Sequence, residues 1–369
     1  MIARLRRWNA ALDEAIDARA LALARMAVAP LVVLHLQPSF AEAAANRFNL
    51  PYASWYPIAS PGLHRAILWA TVAAAVATSL GLCTRLAAWA TALGVGYNLF
   101  LSQTYFHHNR AFLLILLVGV AVLPTGARLS LDRRLGTPTA ISIGGGRRLA
   151  LTVLRVEVAL VYLASGTSKL LDPDWWGGTV TLIRVERYAS DLISRGVPQG
   201  VVDLLTSPGF HQWAAKAVVL TELFIGAGLL WRRSRLGAVW TAVAFHTAIQ
   251  LTADVQVFSV AAICALVIWV TPQSRDRILR LGSDARAATV ALIHALDWTG
   301  RFTVGRHAKP GWEVVDRDGS VLRAARARWF VLSRLPITFL FTAPALLRPI
   351  RRAYAEGVGA RDSGAEVPE

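Results

Sequence analysis

The chain has 369 residues, of which 55% are hydrophobic and only 17% charged, with a formal net charge of +16 and a mean hydropathy of +0.45. A soluble domain usually carries about 25% charge, so this composition calls for lipid as solvent. The basic excess sits in short segments beside apolar blocks, the pattern of the positive-inside rule, and no nucleic-acid partner is expected.

The apolar blocks approach the roughly 20 residues that a helix needs to cross a bilayer, so helices are expected and a β-barrel is not. Met1 to Arg19 carries charges of both signs without a small-residue cleavage site, so the first block is expected to stay as an anchor. Spans are predicted at residues 20–37, 64–83, 86–104, 111–127, 149–169, 214–231, 236–252 and 255–272. Inside segments would carry Arg4, Arg6, Arg7 and Arg19, then Arg85, then Arg128, Arg133, Arg134, Arg147 and Arg148, then Arg232, Arg233 and Arg235. The outside segments are poorer in base, which predicts eight spans with both termini cytoplasmic in a multi-pass protein of the cell membrane. The outer segment between spans five and six, with Trp175, Trp176 and Tyr188, is expected to hold an interfacial helix.

After Pro272 the composition turns polar and basic. A domain boundary is placed there, giving a transmembrane domain over 1–275 and a small α/β domain over 276–369. Arg301–Val304 and Trp312–Val315, followed by the turn signal Asp318–Gly319, read as a short hairpin, with helices at 284–298 and 321–334. Pro336–Leu347 is too short to span and reads as an amphipathic or buried helix, and the last dozen residues as disordered. The two cysteines, Cys83 and Cys264, suggest neither a disulfide framework nor a thiolate metal site.

The chemistry-bearing residues cluster in a few places. Arg155, Tyr162 and Lys169 fall seven apart, so each turns by only about 20° from the last and all share one face of span five. Ionisable groups within a span are costly unless they face the bundle interior, a water-filled cavity or a partner charge. Lys169 at the outer end of the span reads either as a snorkelling anchor or as a base. Trp175 reads as a belt aromatic or as a stacking surface for a cofactor. Glu222 in span six, with Glu157 as a further acid, reads as a partner of Arg155 or as part of a site, and His246 in span seven as a satisfied bundle histidine or a proton carrier. His107 and His108 lie on the outer turn between spans three and four, where no ligand spacing accompanies them, so no metal site is expected. Gly144-Gly145-Gly146 precedes Arg147 and reads as a turn, not a phosphate loop. A base, a histidine and a carboxylate around one outer-leaflet pocket are what proton abstraction from a membrane-soluble substrate requires.

Tyr162 to Gly178, Glu222-Leu223, the spacing from Phe245-His246 to Phe258-Ser259, and His108-Asn109-Arg110 through Ser130-Leu131-Asp132 resemble the HTTM superfamily, the group that includes the vitamin K-dependent γ-glutamyl carboxylases. The most specific element is Gly166-x-x-Lys169 followed by an acid and Trp, and the similarity covers roughly residues 20–275. The resemblance implies an all-α polytopic membrane bundle and a quinol of the vitamin K or menaquinol type as cofactor. Lys169, His246, Glu222 and His108 would be catalytic, and Tyr162, Trp175 and Arg155 cofactor-binding. The expected activity is carboxylase- or epoxidase-like, on a peptide or lipid-soluble substrate. The alternative is a non-catalytic scaffold or assembly partner, for example in secreted peptide maturation.

The tail resembles a DCC-type thioredoxin-like domain, on Leu296-Asp297-Trp298, Trp312, Asp318-Gly319 and Leu335-Pro336. Where that family carries Cys-x-x-Cys, this chain reads Ser283-Asp284-Ala285-Arg286. No thiolate is available there, so a degenerate domain without thiol–disulfide activity is expected.

Overall fold

The computed structural model describes residues 10–14, 18–48, 50–103, 106, 108–136, 147–253, 257–271, 277–336 and 338. The expectations for His107, for Gly144 to Gly146, for most of Pro336–Leu347 and for the last dozen residues lie outside them. The chain divides into two compact units, Met1–Trp269 and Val270–Glu369.

The first unit is helical: α1 Arg19–Met26, α2 Val28–Ala44, α3 Pro61–Leu80, α4 Thr84–Phe100, α5 His108–Val122, α6 Leu131–Arg134, α7 Arg147–Leu171, α8 Pro173–Trp176, α9 Thr179–Glu186, α10 Ala189–Ser194, α11 Gln199–Leu205, α12 Pro208–Leu230, α13 Arg235–Ala253, α14 Val257–Ala265 and α15 Val267–Val270. Among the described residues, four stretches are long and apolar enough to cross a membrane, namely Arg19–Ala44, Pro61–Leu80, Arg148–Leu171 and Pro208–Leu230. Their apolar faces call for a lipid environment, and the chain is a membrane protein. The segment read as carrying one interfacial helix instead forms the four short helices α8 to α11. Pro173, Gly178, Gly196 and Pro198 interrupt it too often for a single helix.

Local sequence accounts for the helix ends. Ser60 and Ser207 accept from Leu63 N and Phe210 N at 3.4 Å, with Pro61 and Pro208 in the first turns of α3 and α12. Gly81 ends α3 in the left-handed region at φ 72°. Asp132 caps α4 from a distance: its carboxylate accepts from Cys83 N at 2.7 Å, Thr84 N at 2.8 Å and Thr84 Oγ1 at 2.7 Å. Burial alone would raise the Asp132 carboxyl, but these hydrogen bonds, with the charge of Arg25, hold it below the usual carboxylate range.

Arg25 closes the same end of the bundle. Its guanidinium is fully buried and donates to Thr78 O at 2.9 Å, Ser79 O at 3.0 Å, Thr125 O at 3.2 Å and Leu129 O at 2.6 Å. These carbonyls belong to the last turn of α3 and to the turn after α5, where the ends of helices leave acceptor capacity free. A single side chain therefore ties three chain segments together.

The second unit holds β1 Ile278–Leu281, α16 Ala287–Leu296, β2 Thr303–Arg306, β3 Trp312–Val315, β4 Val321–Arg323 and α17 Ala324–Leu332. The sheet order is β2-β1-β3-β4, with β1 parallel to β2 and antiparallel to β3. Leu279, Leu281, Phe302, Val314, Phe330 and Val331 are core residues. The predicted pairing of 301–304 with 312–315 is corrected, because β1 lies between them. Ile-Leu-Arg-Leu is a four-residue strand, too short to stand out in the sequence, yet both Leu279 and Leu281 are fully buried. The hairpin is β3–β4, closed by Asp316 N to Ser320 O at 2.9 Å and Gly319 N to Asp316 O at 3.0 Å. The predicted helix at 321–334 accordingly begins only at Ala324, because Val321 and Leu322 are taken into the sheet beside Val315 and Val314.

Candidate functional site

The Gly166-x-x-Lys169 motif has a packing meaning in α7. A Cβ at Gly166 would lie 2.9 Å from Leu223 Cδ2 and 3.2 Å from Leu223 N, so only glycine lets α12 come this close. Gly226 repeats the device one turn along α12, where a Cβ would lie 2.6 Å from Leu163 Cγ and 3.0 Å from Ala159 O. Two close-contact points thus press α7 and α12 together on either side of Leu163 and Leu223. This approach brings Lys169, three residues after Gly166, against Glu222, the neighbour of Leu223.

Lys169 Nζ lies 2.5 Å from Glu222 Oε1 and 2.7 Å from Oε2, and donates also to Ser165 Oγ at 2.8 Å. The two side chains are 17% and 5% exposed, which makes this a buried ion pair rather than a snorkelling lysine. The ammonium also sits over the Trp175 ring at 4.8 Å from the centroid, and the Arg184 guanidinium lies 5.5 Å from the same ring. Asp172 positions Trp175 by accepting from Asp174 N at 2.9 Å and Trp175 N at 3.4 Å, which starts α8 directly after α7 ends. His211 of α12 fixes the following segment through Thr181 Oγ1 at 3.0 Å and Leu205 O at 2.5 Å.

Two turns back on the same face of α7, Tyr162 Oη lies 2.7 Å from His246 Nε2 of α13. Both residues are buried, and His246 Nδ1 is a buried atom with no partner among the described residues. Phe245 and Phe258 meet the imidazole edge to face at 5.3 Å each. The charge of Lys169 acts on His246 and that of Glu222 on Tyr162, so the two pairs form one electrostatic cluster.

The other expected members lie elsewhere. Arg155 shares the α7 face but stands 14 residues before Lys169, about 21 Å along the axis at 1.5 Å per residue. It does not pair with Glu222. Its guanidinium donates to Ile268 O at 2.7 and 3.2 Å and lies 5.0 Å from the Trp269 ring. Glu157 has a buried Oε2 that faces Gly119 of α5 and has no partner among the described residues. His108 opens α5, and its side chain lies outside the described residues. Ser165 and Arg184 are the additions to the expected set. Ser165 was findable, since a side chain four residues before Lys169 lies beside it on any helix.

Chemically, the cluster offers an acid–base pair that can pass a proton between its two members, an aromatic face over the cation, and a tyrosine–histidine relay beside it. No curated protein and no solved structure matches the chain. The HTTM family model, described as the HTTM domain, matches residues 14–273, more than half of the chain, and this membrane protein belongs to the HTTM family.

Proposed function

We propose that this HTTM protein is an integral membrane enzyme that removes a proton from a lipid-soluble, quinol-type substrate at the Lys169–Glu222 pair. The observation that carries the reading is the desolvated pair itself, held within 2.7 Å under the Trp175 ring and beside the Tyr162–His246 hydrogen bond. Within an ion pair 2.5 Å apart Lys169 can pass its proton to Glu222, and the freed amine then takes the proton of the substrate, so the pair acts as the base as a unit. On taking one proton it passes from net zero to +1, carried by the lysine ammonium beside a now neutral Glu222. That charge stabilises an oxyanion left on the substrate. The donor set fits a quinol: Trp175 supplies an aromatic face, and His246 Nδ1 is a buried atom in want of a hydrogen-bonding group. A bound quinol supplies reducing equivalents; Lys169, Glu222, Tyr162 and His246 hold and move the proton. The resemblance to the vitamin K-dependent carboxylases supports a carboxylase- or epoxidase-like outcome.

The test is consumption of a reduced naphthoquinol by the purified protein in proteoliposomes, comparing wild type with Lys169→Arg, Lys169→Ala and Glu222→Gln. Arginine keeps the charge but does not give up its proton near neutral pH, having a pKa above about 12. Both lysine variants should be inactive. Full activity in both leaves the second reading, a non-catalytic scaffold or assembly partner. One observation favours it: Lys169 is fully occupied by Glu222 and Ser165, as a structural staple between α7 and α12 would be.

The alternation of arginines supports eight spans, with α4, α5, α13 and the α14–α15 segment crossing beside the four long helices, and both termini cytoplasmic in the cell membrane. For the second unit, a degenerate thioredoxin-like module is supported by the order β2-β1-β3-β4 with a β1–α16–β2 parallel unit. Ser283–Arg286 falls between β1 and α16, where a redox cysteine pair would stand, so the reading is of a docking or structural module.

A further inference from the structure

At the other end of α7 from Lys169, two arginines cover one tryptophan. Arg155 Cζ lies 5.0 Å and Arg235 Cζ 5.1 Å from the Trp269 ring centroid. Arg155 donates to Ile268 O, a carbonyl of the short α15 that ends at Val270, and Arg235 donates to Leu229 O at 3.1 Å, near the end of α12. Both hold carbonyls of helix C-terminal turns, so both are fixed in place. Among the described residues neither makes an ion pair, while the neighbouring Arg148 has taken Glu14 at 2.6 Å. Arg232 acts on Arg235, and Arg235 and Arg148 act on Arg155, so the positive charges repel one another without an anion between them. Trp269 is 8% exposed, and its indole Nε1 is a buried donor with no acceptor among the described residues.

We propose that the Arg155–Trp269–Arg235 cluster is a binding site for the headgroup phosphate of an anionic phospholipid. Basic clusters at helix ends recognise anionic headgroups in this way, since the phosphate cancels the mutual repulsion and accepts the idle N–H groups. The site stands about 21 Å along α7 from Lys169 and is independent of the chemistry proposed there.

The experiment uses the full-length protein purified in a neutral detergent. Phosphatidylglycerol, phosphatidylcholine and inorganic phosphate are titrated separately against the thermal midpoint, and lipids retained after detergent exchange from an equimolar mixture are measured by mass spectrometry. Phosphatidylglycerol should raise the midpoint and be retained preferentially, whereas phosphatidylcholine and phosphate leave it unchanged. Arg155→Gln and Arg235→Gln should each weaken the phosphatidylglycerol effect roughly fivefold, as expected for one basic residue at a charged headgroup. The exposed-site control Arg187→Gln should leave it intact. Equal retention of the two lipids, an equal midpoint shift from phosphate alone, or undiminished effects in both arginine variants would overturn the assignment. Should those variants fail to fold, Trp269→Phe keeps the ring and removes only Nε1–H, and the comparison of lipids on the wild type decides by itself.

Discussion

Replacing one member of the Lys169–Glu222 pair should be far more damaging to stability than replacing both. The side chains are 17% and 5% exposed, so the pair is desolvated, and Glu222→Gln leaves an ammonium with a neutral amide in its place. Breaking a buried pair on one side costs about 3–5 kcal/mol. Glutamine still accepts one hydrogen bond and Ser165 Oγ remains, so the lower end, about 3 kcal/mol, applies here. That is roughly a hundredfold in the unfolding equilibrium and at least about 5 °C in midpoint. Lys169→Met combined with Glu222→Met removes both charges at similar volume and should fall within about 1 kcal/mol of wild type, or above it, because buried pairs are often replaceable by apolar side chains. The assay is thermal unfolding of detergent-solubilised protein at a fixed scan rate, read as a double-mutant cycle, with quinol consumption measured in parallel. A Glu222→Gln midpoint within 1 °C of wild type, on the scale of about 2–4 °C per kcal/mol, would refute the desolvated pair. So would a double variant less stable than either single one.

Three further outcomes follow from other contacts. Gly166→Ala should lower stability by about 1–3 kcal/mol and depress activity with it, since the added methyl meets Leu223 at 2.9 Å and spreads α7 from α12; the check is the thermal midpoint together with turnover, and an unchanged midpoint removes the close-approach account. Asp132→Ala should cost about 1–2 kcal/mol through loss of the α4 cap. Because hydrogen bonds hold the folded carboxyl below its unfolded value, this stabilisation is fully present above about pH 4 and fades as pH falls through the lower folded value; midpoints of wild type and Asp132→Asn should therefore converge in acid and diverge toward neutrality. The full chain should give no turnover in insulin reduction, as Ser283–Arg286 holds no cysteine; sustained turnover abolished by Cys83→Ala or Cys264→Ala would contradict this.

The sequence made some of this arrangement legible and hid the rest for physical reasons. Seven-residue spacing is a property of one helix, so the shared face of Tyr162 and Lys169 can be read without a fold. The Lys169–Glu222 contact cannot, because it depends on which helices pack together, and the only local hint is that Gly166 and Gly226 are small enough for close approach. The role of Arg25 is not legible in the sequence, since a lone arginine inside an apolar block reads as part of a span, while its five backbone acceptors come from residues 53 to 104 positions away. In the second unit, the turn at Asp318–Gly319 was visible, but which strands it joins depended on β1, whose four residues carry no alternation long enough to mark it.

Arg155 shows how a shared helix face and a shared site come apart. The periodicity that aligns it with Lys169 fixes azimuth only, and a 25-residue helix is long enough for one face to reach both ends of a bundle. At the Lys169 end the cation meets a carboxylate on α12, and its charge is cancelled inside the protein. At the Arg155 end the cation meets only a carbonyl, a tryptophan and a second arginine, so among the described residues its charge has no counterion. A cation paired within the protein is equipped for proton exchange, because the pair changes charge when it takes a proton. One left unpaired at the rim of a lipid-facing bundle is equipped for holding an anion, because nothing inside competes for it. Arg155→Gln should therefore alter lipid retention and leave quinol turnover at saturating substrate unchanged, whereas Glu222→Gln should do the reverse; a single variant that abolished both would mean that the two ends of α7 serve one site.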